Sequence, residues 1–245
     1  MILLFTDFGL AGPYVGQVQA VLAKQAPGIP VITLFADAPA FRPRESAYLL
    51  AGHVPAIPGD ACFLCVVDPG VGSDRPGVAA RIDGRWFVGP GNGLFEILLR
   101  RGRDIETYLL PPVPPGASAS FHGRDVFAPV AAGLARGDTP DQLGLIASEI
   151  PRYTDWPDDL AAIIYVDGYG NLMTGLRADT LSGQDALVVS GQMLRKARTF
   201  SDVPPGQAFW YPNSNGLAEI AVNCGRADAQ FQAGIGVSVR VEKIS

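Results

Sequence analysis

Histidine and cysteine, the two most versatile catalytic and metal-ligating side chains, are scarce: the 245 residues hold two of the first and three of the second. An odd number of cysteines makes no disulfide framework. Cys62 and Cys65 form a C-x-x-C, but Phe63, Leu64, Val66 and Val67 surround them. A redox pair would open a helix and expose its first thiol, so these two read as buried thiols of a strand, and one such pair makes no zinc site. No apolar run approaches the roughly 18–20 residues that span a bilayer. The segment Met1–Asp7 has no basic leader and turns polar too early for a signal peptide; it reads as a first strand. Basic charge is also short, with 19 Lys and Arg against 24 Asp and Glu. The densest basic run, Arg100-Arg101-Gly102-Arg103, follows the apolar Leu94–Leu99 and suits a helix C-terminus. A nucleic-acid surface would need far more phosphate-neutralising charge. These absences predict a cytoplasmic protein with neither a membrane nor a nucleic acid as partner.

What is present is apolar and periodic. Hydrophobic residues make up 48% of the chain, ample for a core. Ile2–Phe5 and Val31–Phe35 are strand-like runs. Between them Val15, Val18, Val21 and Leu22 recur at helical spacing behind Pro13. Pro43 opens a second helical segment over Arg44–Val54. Asp83-Gly84 between Val78–Ile82 and Arg85–Val88 predicts a hairpin. Gly93–Arg100 and Asp125–Arg136 read as helices. This alternation predicts an α/β/α layered domain with a mainly parallel sheet. Beyond Pro151 the pattern changes to short strands, Ala162–Val166, Leu172–Leu176, Ala186–Val189, Phe209–Tyr211, Leu217–Val222 and Val237–Val241, broken by Gly, Asp and Asn. They predict a small antiparallel β-barrel or sandwich. The expected organisation is therefore an N-terminal α/β domain over 1–152, a linker over 153–160 and a C-terminal β domain over 161–245.

Polar residues gather at predicted strand ends. Thr6-Asp7-Phe8-Gly9 ends the first strand. The apolar run Cys62–Val67 delivers Asp68, then the Pro/Gly-rich loop Pro69–Asp74, then Arg75, seven positions on. In open parallel sheets ligands bind at such strand ends, although a stiff loop with opposite charges can equally be a structural turn. Phe121-His122-Gly123-Arg124-Asp125 precedes a helix, where His122 could act chemically or simply hydrogen-bond the helix start. His53 reads as a helix-end residue. Two chemistries fit these groups. Asp7, Asp68 and His122 could bind a divalent metal and activate water, but Arg75 beside Asp68 would repel the cation. A metal-free network of Asp68, Arg75 and His122 around one water is the other, since arginine supplies a rigid donor fork, the carboxylate accepts it and His passes protons near neutral pH.

Six segments, in order along nearly the whole chain, resemble the S-adenosyl-L-methionine hydroxide adenosyltransferases, hydrolase relatives of the fluorinase and chlorinase enzymes. They are Thr6–Gly9, Val67–Gly72, Gly89–Leu94, Phe121–Pro129, Asp167–Leu172 and Leu217–Asn223. The resemblance implies metal-independent hydrolysis of S-adenosyl-L-methionine to adenosine and L-methionine by water at the ribose C5′, without a cofactor. It implies a homotrimer whose site lies at a subunit interface. Asp68, Arg75 and His122 match the family's water-handling triad. Asp7 matches the acceptor of the ribose hydroxyls, Asp167 the partner of the methionine ammonium, Asn171 a nucleoside contact and Ser214 a methionine-carboxylate contact, while Phe41 and Phe121 would supply apolar walls. Gly123 stands where the halogenating relatives carry serine. A halogenase, a metal-dependent hydrolase and a non-catalytic S-adenosyl-L-methionine or adenosine sensor are the alternatives. Asp167-Gly168-Tyr169-Gly170-Asn171 is also ordinary turn chemistry.

Overall fold

The computed structural model describes residues 1–244 and divides into two compact units, Met1–Ala47 with Ile57–Thr154 and Tyr48–Ala56 with Asp155 onward. The segment Tyr48–Ala56, placed in the first domain by sequence order, thus groups with the second unit.

The first unit is built on β1 (Ile2–Thr6), α1 (Tyr14–Gln25), β2 (Val31–Phe35), the start of α2 (Pro43–His53), β3 (Cys62–Val66), β4 (Gly77–Ile82), β5 (Arg85–Pro90), α3 (Glu96–Arg101), β6 (Ile105–Leu109), α4 (Ala128–Arg136) and the short β7 (Ile146–Ala147). Its seven strands form one sheet in the order β2-β1-β3-β5-β4-β6-β7. The pairings β1–β2, β1–β3 and β3–β5 are parallel. The hairpin β4–β5 turns at Asp83 and Gly84, both at positive φ, as Asp-Gly predicts. Because β6 is antiparallel to β4, it points the same way as β5, and five of the seven strands run in one direction. Every residue of β1 and β3 is buried, the mark of parallel strands covered on both faces. On one face Ile2, Leu4, Leu64 and Val66 pack with Val15, Val18 and Leu22 of α1 and Ala131 and Leu134 of α4. On the other, Phe63 stacks on Phe87 at 4.8 Å, and Phe87 meets Phe95. The Cys62 and Cys65 thiols are buried, and burial pushes that of Cys62 up to about 12.

The second unit is antiparallel. β8 (Leu160–Val166), β9 (Leu172–Arg177), β12 (Ala208–Pro212) and β13 (Leu217–Val222) form a sheet in the order β12-β13-β9-β8; β10 (Asp185–Val189), β11 (Gln192–Leu194) and β14 (Arg240–Lys243) form another in the order β11-β10-β14. Two single bridges, Ala162 with Ser238 and Lys196 with Trp210, join the sheets at both ends and close them into a small barrel. Trp210, Leu187, Ile220, Leu172 and Phe231 of the short helix α5 (Ala227–Phe231) fill it. The Trp210 indole N–H donates to the Asp185 carbonyl at 3.0 Å, so its polar end is satisfied in the core. The last strand begins at Arg240, later than the predicted Val237, because the backbone of Val237–Val239 bonds to Ala161 and Ile163 of β8 while pairing with β10 starts only at Arg240.

Candidate functional site

In the first unit the C-terminal ends of β1 and β3 deliver Asp7 and Asp68, the crevice position of a parallel sheet. The Asn92 side-chain amide caps the end of β3 by donating to the Val67 carbonyl at 2.9 Å. The following loop folds on itself, with the Val71 amide on the Asp68 carbonyl and the Ser73 amide and hydroxyl on the Gly70 carbonyl. Gly72 is required there: its φ is +81°, and a Cβ would lie 2.8 Å from the Ala119 carbonyl oxygen. This turn sends Arg75 back onto Asp68.

The Arg75 Nε donates to Asp68 Oδ1 at 2.8 Å and Nη2 to Asp68 Oδ2, the bidentate fork that arginine makes with carboxylates. The same Nη2 lies 3.1 Å from His122 Nδ1. A guanidinium can only donate, so His122 Nδ1 accepts and the neutral imidazole carries its proton on Nε2. Burial, and then the Arg75 charge, hold the His122 pKa below its ordinary value, which agrees with that tautomer. Arg75 also lies over the Phe127 ring at 5.2 Å. All three side chains are largely shielded from solvent.

His122 enters this cluster from a wide, π-helical turn, Gly123–Phe127, that leads into α4. Such turns are uncommon and recur at functional sites. Arg124 and Asp125 brace it: the guanidinium chelates the Asp125 carboxylate, reaches Gln17 of α1 at 2.7 Å and lies over Phe121, while Asp125 accepts from the Ser118 amide. Gly123 faces Phe8, whose Cζ would stand 3.0 Å from a Cβ there, so a serine at this position would press on the Phe8 ring. Phe8, Tyr14 and Phe121 form a ring cluster with edge contacts near 5.5 Å, at 5.6 Å for Phe8–Phe121 and 5.4 Å for Tyr14–Phe121.

Asp7 is half-buried and differently placed. Burial raises its pKa; the Phe41 amide, donating to Oδ2 at 3.3 Å, opposes this, and the charge of Asp68 adds to it. Phe41 adopts φ 61°, a left-handed conformation uncommon outside glycine, and its ring is exposed. The structure thus brings Asp68, Arg75 and His122 into contact, with Asp7, Phe41 and Phe121 on neighbouring strand ends and loops of the same unit.

The remaining predicted residues lie in the second unit, around a cavity of about 760 Å³ lined by Asp167, Asn171, Ser214, Tyr211, Glu219 and Arg226 among others. Asp167 organises its own turn: Oδ1 accepts from the Tyr169 and Asn171 amides at 2.9 and 2.8 Å, and Oδ2 from the Asn171 side chain at 3.0 Å. The turn reading of this motif is therefore realised, in the wall of a cavity. His53 ends α2 with Nδ1 on the Leu49 carbonyl at 2.8 Å, as a helix-end residue should, and its Nε2 meets the Asn215 side chain at 3.1 Å. Sequence reasoning passed over Glu219, a carboxylate only 3% exposed within the fully buried strand β13. One charge inside an apolar run was the signal. Among the described residues no group of three or more His, Cys, Asp or Glu side chains could hold a metal ion, and no helix is long and apolar enough to cross a membrane.

Comparison with known proteins identifies the family of the chain. The profile of the SAM hydroxide adenosyltransferase N-terminal domain matches residues 2–144, and that of the C-terminal domain residues 161–240. A curated protein of Thermus thermophilus named (R)-S-adenosyl-L-methionine hydrolase is 40% identical, over 96% of this chain and 97% of its own. One of the same name from Salinispora arenicola is 38% identical, over 96% and 95%. The crystal structure of an uncharacterised conserved protein of Thermotoga maritima superposes with a TM-score of 0.87 at 27% identity, covering 98% of this chain and 99% of that one. With both domain profiles matched in order along nearly its whole length, the chain belongs to the SAM hydroxide adenosyltransferase family.

Proposed function

We infer that this protein hydrolyses S-adenosyl-L-methionine to adenosine and L-methionine. The observation that carries the reading is the closed Asp68–Arg75–His122 network at the strand ends of a family member whose curated relatives bear that activity in their names. The sulfonium is already a good leaving group, so neither a metal nor a cofactor is needed to activate it. The enzyme's task is to align a partly desolvated water opposite the C5′–S bond. The water oxygen forms the bond to C5′, the C–S electron pair leaves on sulfur as the thioether of methionine, and one proton is released. No covalent enzyme intermediate is required.

In this reading Asp68, Arg75 and His122 hold the water. Arg75 stays charged throughout, and His122 has Nδ1 on the guanidinium and its proton on Nε2, which leaves Asp68, with acceptor sites to spare beyond its two arginine donors, as the member that can take the proton. Asp7 accepts the ribose hydroxyls: a carboxylate offers about four acceptor sites, enough for both donors of a vicinal diol beside the Phe41 amide and its own. Phe41 and Phe121 wall the nucleoside. Asp167, Asn171 and Ser214 serve the methionine and nucleoside ends from the second-unit cavity. The crowding of Gly123 by Phe8 supports water rather than halide as the nucleophile, since a hydroxyl-bearing side chain there would require the Phe8 ring to give way.

The homotrimer implied by the family resemblance belongs to the same proposal. It is supported by large apolar side chains left in solvent, Leu10 at 78%, Phe41 at 77% and Tyr169 at 80% exposure, which neighbouring copies would cover. Light scattering should give three times the 25.8 kDa chain mass. A cytoplasmic location is supported by three free thiols.

The deciding assay incubates purified protein with S-adenosyl-L-methionine and EDTA and separates the nucleosides. Adenosine should form, and in ¹⁸O-water its 5′-hydroxyl should carry the label. Activity that returns only with a divalent metal would establish a metallohydrolase instead. 5′-Chloro-5′-deoxyadenosine formed in chloride would establish a halogenase, and tight binding without turnover a sensor.

A further inference from the structure

The loop that joins β12 to β13 is short and internally bonded. The Asn213 carboxamide oxygen accepts from the Asn215 and Leu217 amides, both at 3.0 Å. The Gly216 amide returns to the Asn213 carbonyl at 3.1 Å, and Gly216 takes φ +78° to make the turn. Asn213, Ser214 and Asn215 line the second-unit cavity. Bonds within a hairpin set the shape of its loop, but the tilt of the loop over the cavity depends on what holds it from outside. There the Ala178 amide donates to the Gly216 carbonyl at 2.9 Å, and His53 meets the Asn215 side chain.

His53 lies 162 positions before Asn215 and reaches it from the end of α2, in the segment Tyr48–Ala56 that belongs to the second unit. The segment is fastened there by the Tyr48 hydroxyl on the Pro157 carbonyl. It also makes a close approach at Gly52, where a Cβ would lie 2.8 Å from Leu217 Cδ1. The helix end therefore rests on the first residue of β13. The His53 ring is fixed at both nitrogens. A carbonyl only accepts, so Nδ1 carries the proton and donates to Leu49 at 2.8 Å. Nε2 then holds the lone pair, and the Asn215 amide donates to it at 3.1 Å. Burial favours this neutral ring. The contact also orients Asn215, whose NH2 faces the imidazole.

We propose that His53 is a positioning residue for substrate binding: by accepting the Asn215 amide it holds the β12–β13 loop, with Ser214 between its two asparagines, in the form that receives the ligand. His53 does not itself line the cavity, and it acts through Asn215. A loop already held in its bound form has less freedom to lose when ligand arrives, so the effect falls on binding rather than on the chemical step. The proposal rests on the hydrolase reading given above and extends it to a helix end that sequence order assigns to the other domain.

The test uses His53→Leu, which removes the acceptor, and His53→Gln, whose amide oxygen can take the place of Nε2. In adenosine formation H53L should raise KM about 2–10-fold, the worth of one hydrogen bond, with kcat little changed, and H53Q should restore KM. Asn215→Ala should raise KM as well, and adding H53L to it should cost little more, because the two residues act as a pair; N215A also serves if H53L does not fold. A KM unmoved in H53L, a loss in kcat instead, no recovery in H53Q, or additive losses in the double variant would overturn the assignment, while adenosine formed by wild type keeps the hydrolase reading intact. Amide exchange of the ligand-free protein tests the same contact without activity. The Asn215 and Leu217 amides should exchange faster in H53L and at the wild-type rate in H53Q, with those of β10 unchanged in both. Equal exchange in all three proteins would refute the role of His53 even if wild type makes no adenosine.

Discussion

The two clusters of this chain both contain buried carboxylates, yet they are finished to different degrees. In the first unit Asp68, Arg75 and His122 satisfy one another: each carboxylate oxygen has an arginine donor, and the imidazole accepts the guanidinium. In the second unit Glu219 and Asp167 face a cavity whose lining arginine, Arg226, is chelated by Asp228, and they have acceptor capacity to spare. A network closed on itself is suited to hold geometry and manage a proton. A set of fixed but unsaturated acceptors is suited to bind. The degree of saturation, more than the residue types, separates chemistry from recognition.

The strongest blow to this contrast is Asp68→Asn. The amide cannot take both guanidinium donors, so the network opens, and kcat should fall by about 10²–10⁴, the usual span for a residue that handles a proton, with KM nearly unchanged. Adenosine production under saturating substrate measures it, and an equal loss in KM would place Asp68 with the binding groups. Next is Trp210→Ala, which empties the centre of the barrel and removes the Asp185 hydrogen bond. Denaturant unfolding should report a loss of about 3–5 kcal/mol. Asp7 sharpens the rule, because it lies in the first unit yet has an unsaturated carboxylate. By saturation it belongs with recognition, so Asp7→Asn should raise KM about tenfold or more and spare kcat; steady-state kinetics decide.

The smallest effect is on pH dependence. His122 and His53 both titrate below 6.5 in the folded protein. Between that ordinary value and their lowered ones the unfolded chain binds more protons, so stability falls as pH drops through this window. Over the same range protonating His122 Nδ1 would set an N–H against the Arg75 N–H, and kcat should fall with it. Asp7 and Glu219, raised by burial, act with the opposite sign: they release protons less readily when folded, and cost stability as pH climbs through their raised values. A kcat profile that shows no acid limb below the ordinary histidine value of about 6.5 would remove His122 from the network.

Much of this was legible in the residues. The helix over Tyr14–Gln25 is declared by Pro13 and its apolar spacing, and the hairpin by Asp83-Gly84. Asp68 and Arg75 are seven positions apart, and one glycine-bearing turn suffices to join them. His122 is 47 positions beyond Arg75; its arrival depends on a π-helical turn that local propensity does not specify, and family order rather than spacing pointed to it. Glu219 shows the opposite case. It stood in plain view within Leu217–Val222, but the Tyr211 and Asn213 donors that give it meaning come from the neighbouring strand and its loop, and cross-strand register is a tertiary fact. Likewise Tyr48–Ala56 reads as part of the first domain because chain order suggests it, while its packing is with the second unit.

The barrel of the second unit is closed by two short seams rather than by long ladders. At one, Ala162 bridges Ser238, and the Val239, Ile163 and Gly236 amides bond to the Ala161, Val237 and Ile163 carbonyls; at the other, Lys196 bridges Trp210, whose amide bonds to the Arg195 carbonyl and whose carbonyl accepts the Ala197 amide. With so few bonds each, these seams are where the ring is thinnest, and amide exchange should be fastest there. Glu219 and Met173 sit on the interior strands β13 and β9, and Tyr211 is held to β13 by the ladder that runs the length of β12. A seam can therefore part while the row that floors the cavity stays together.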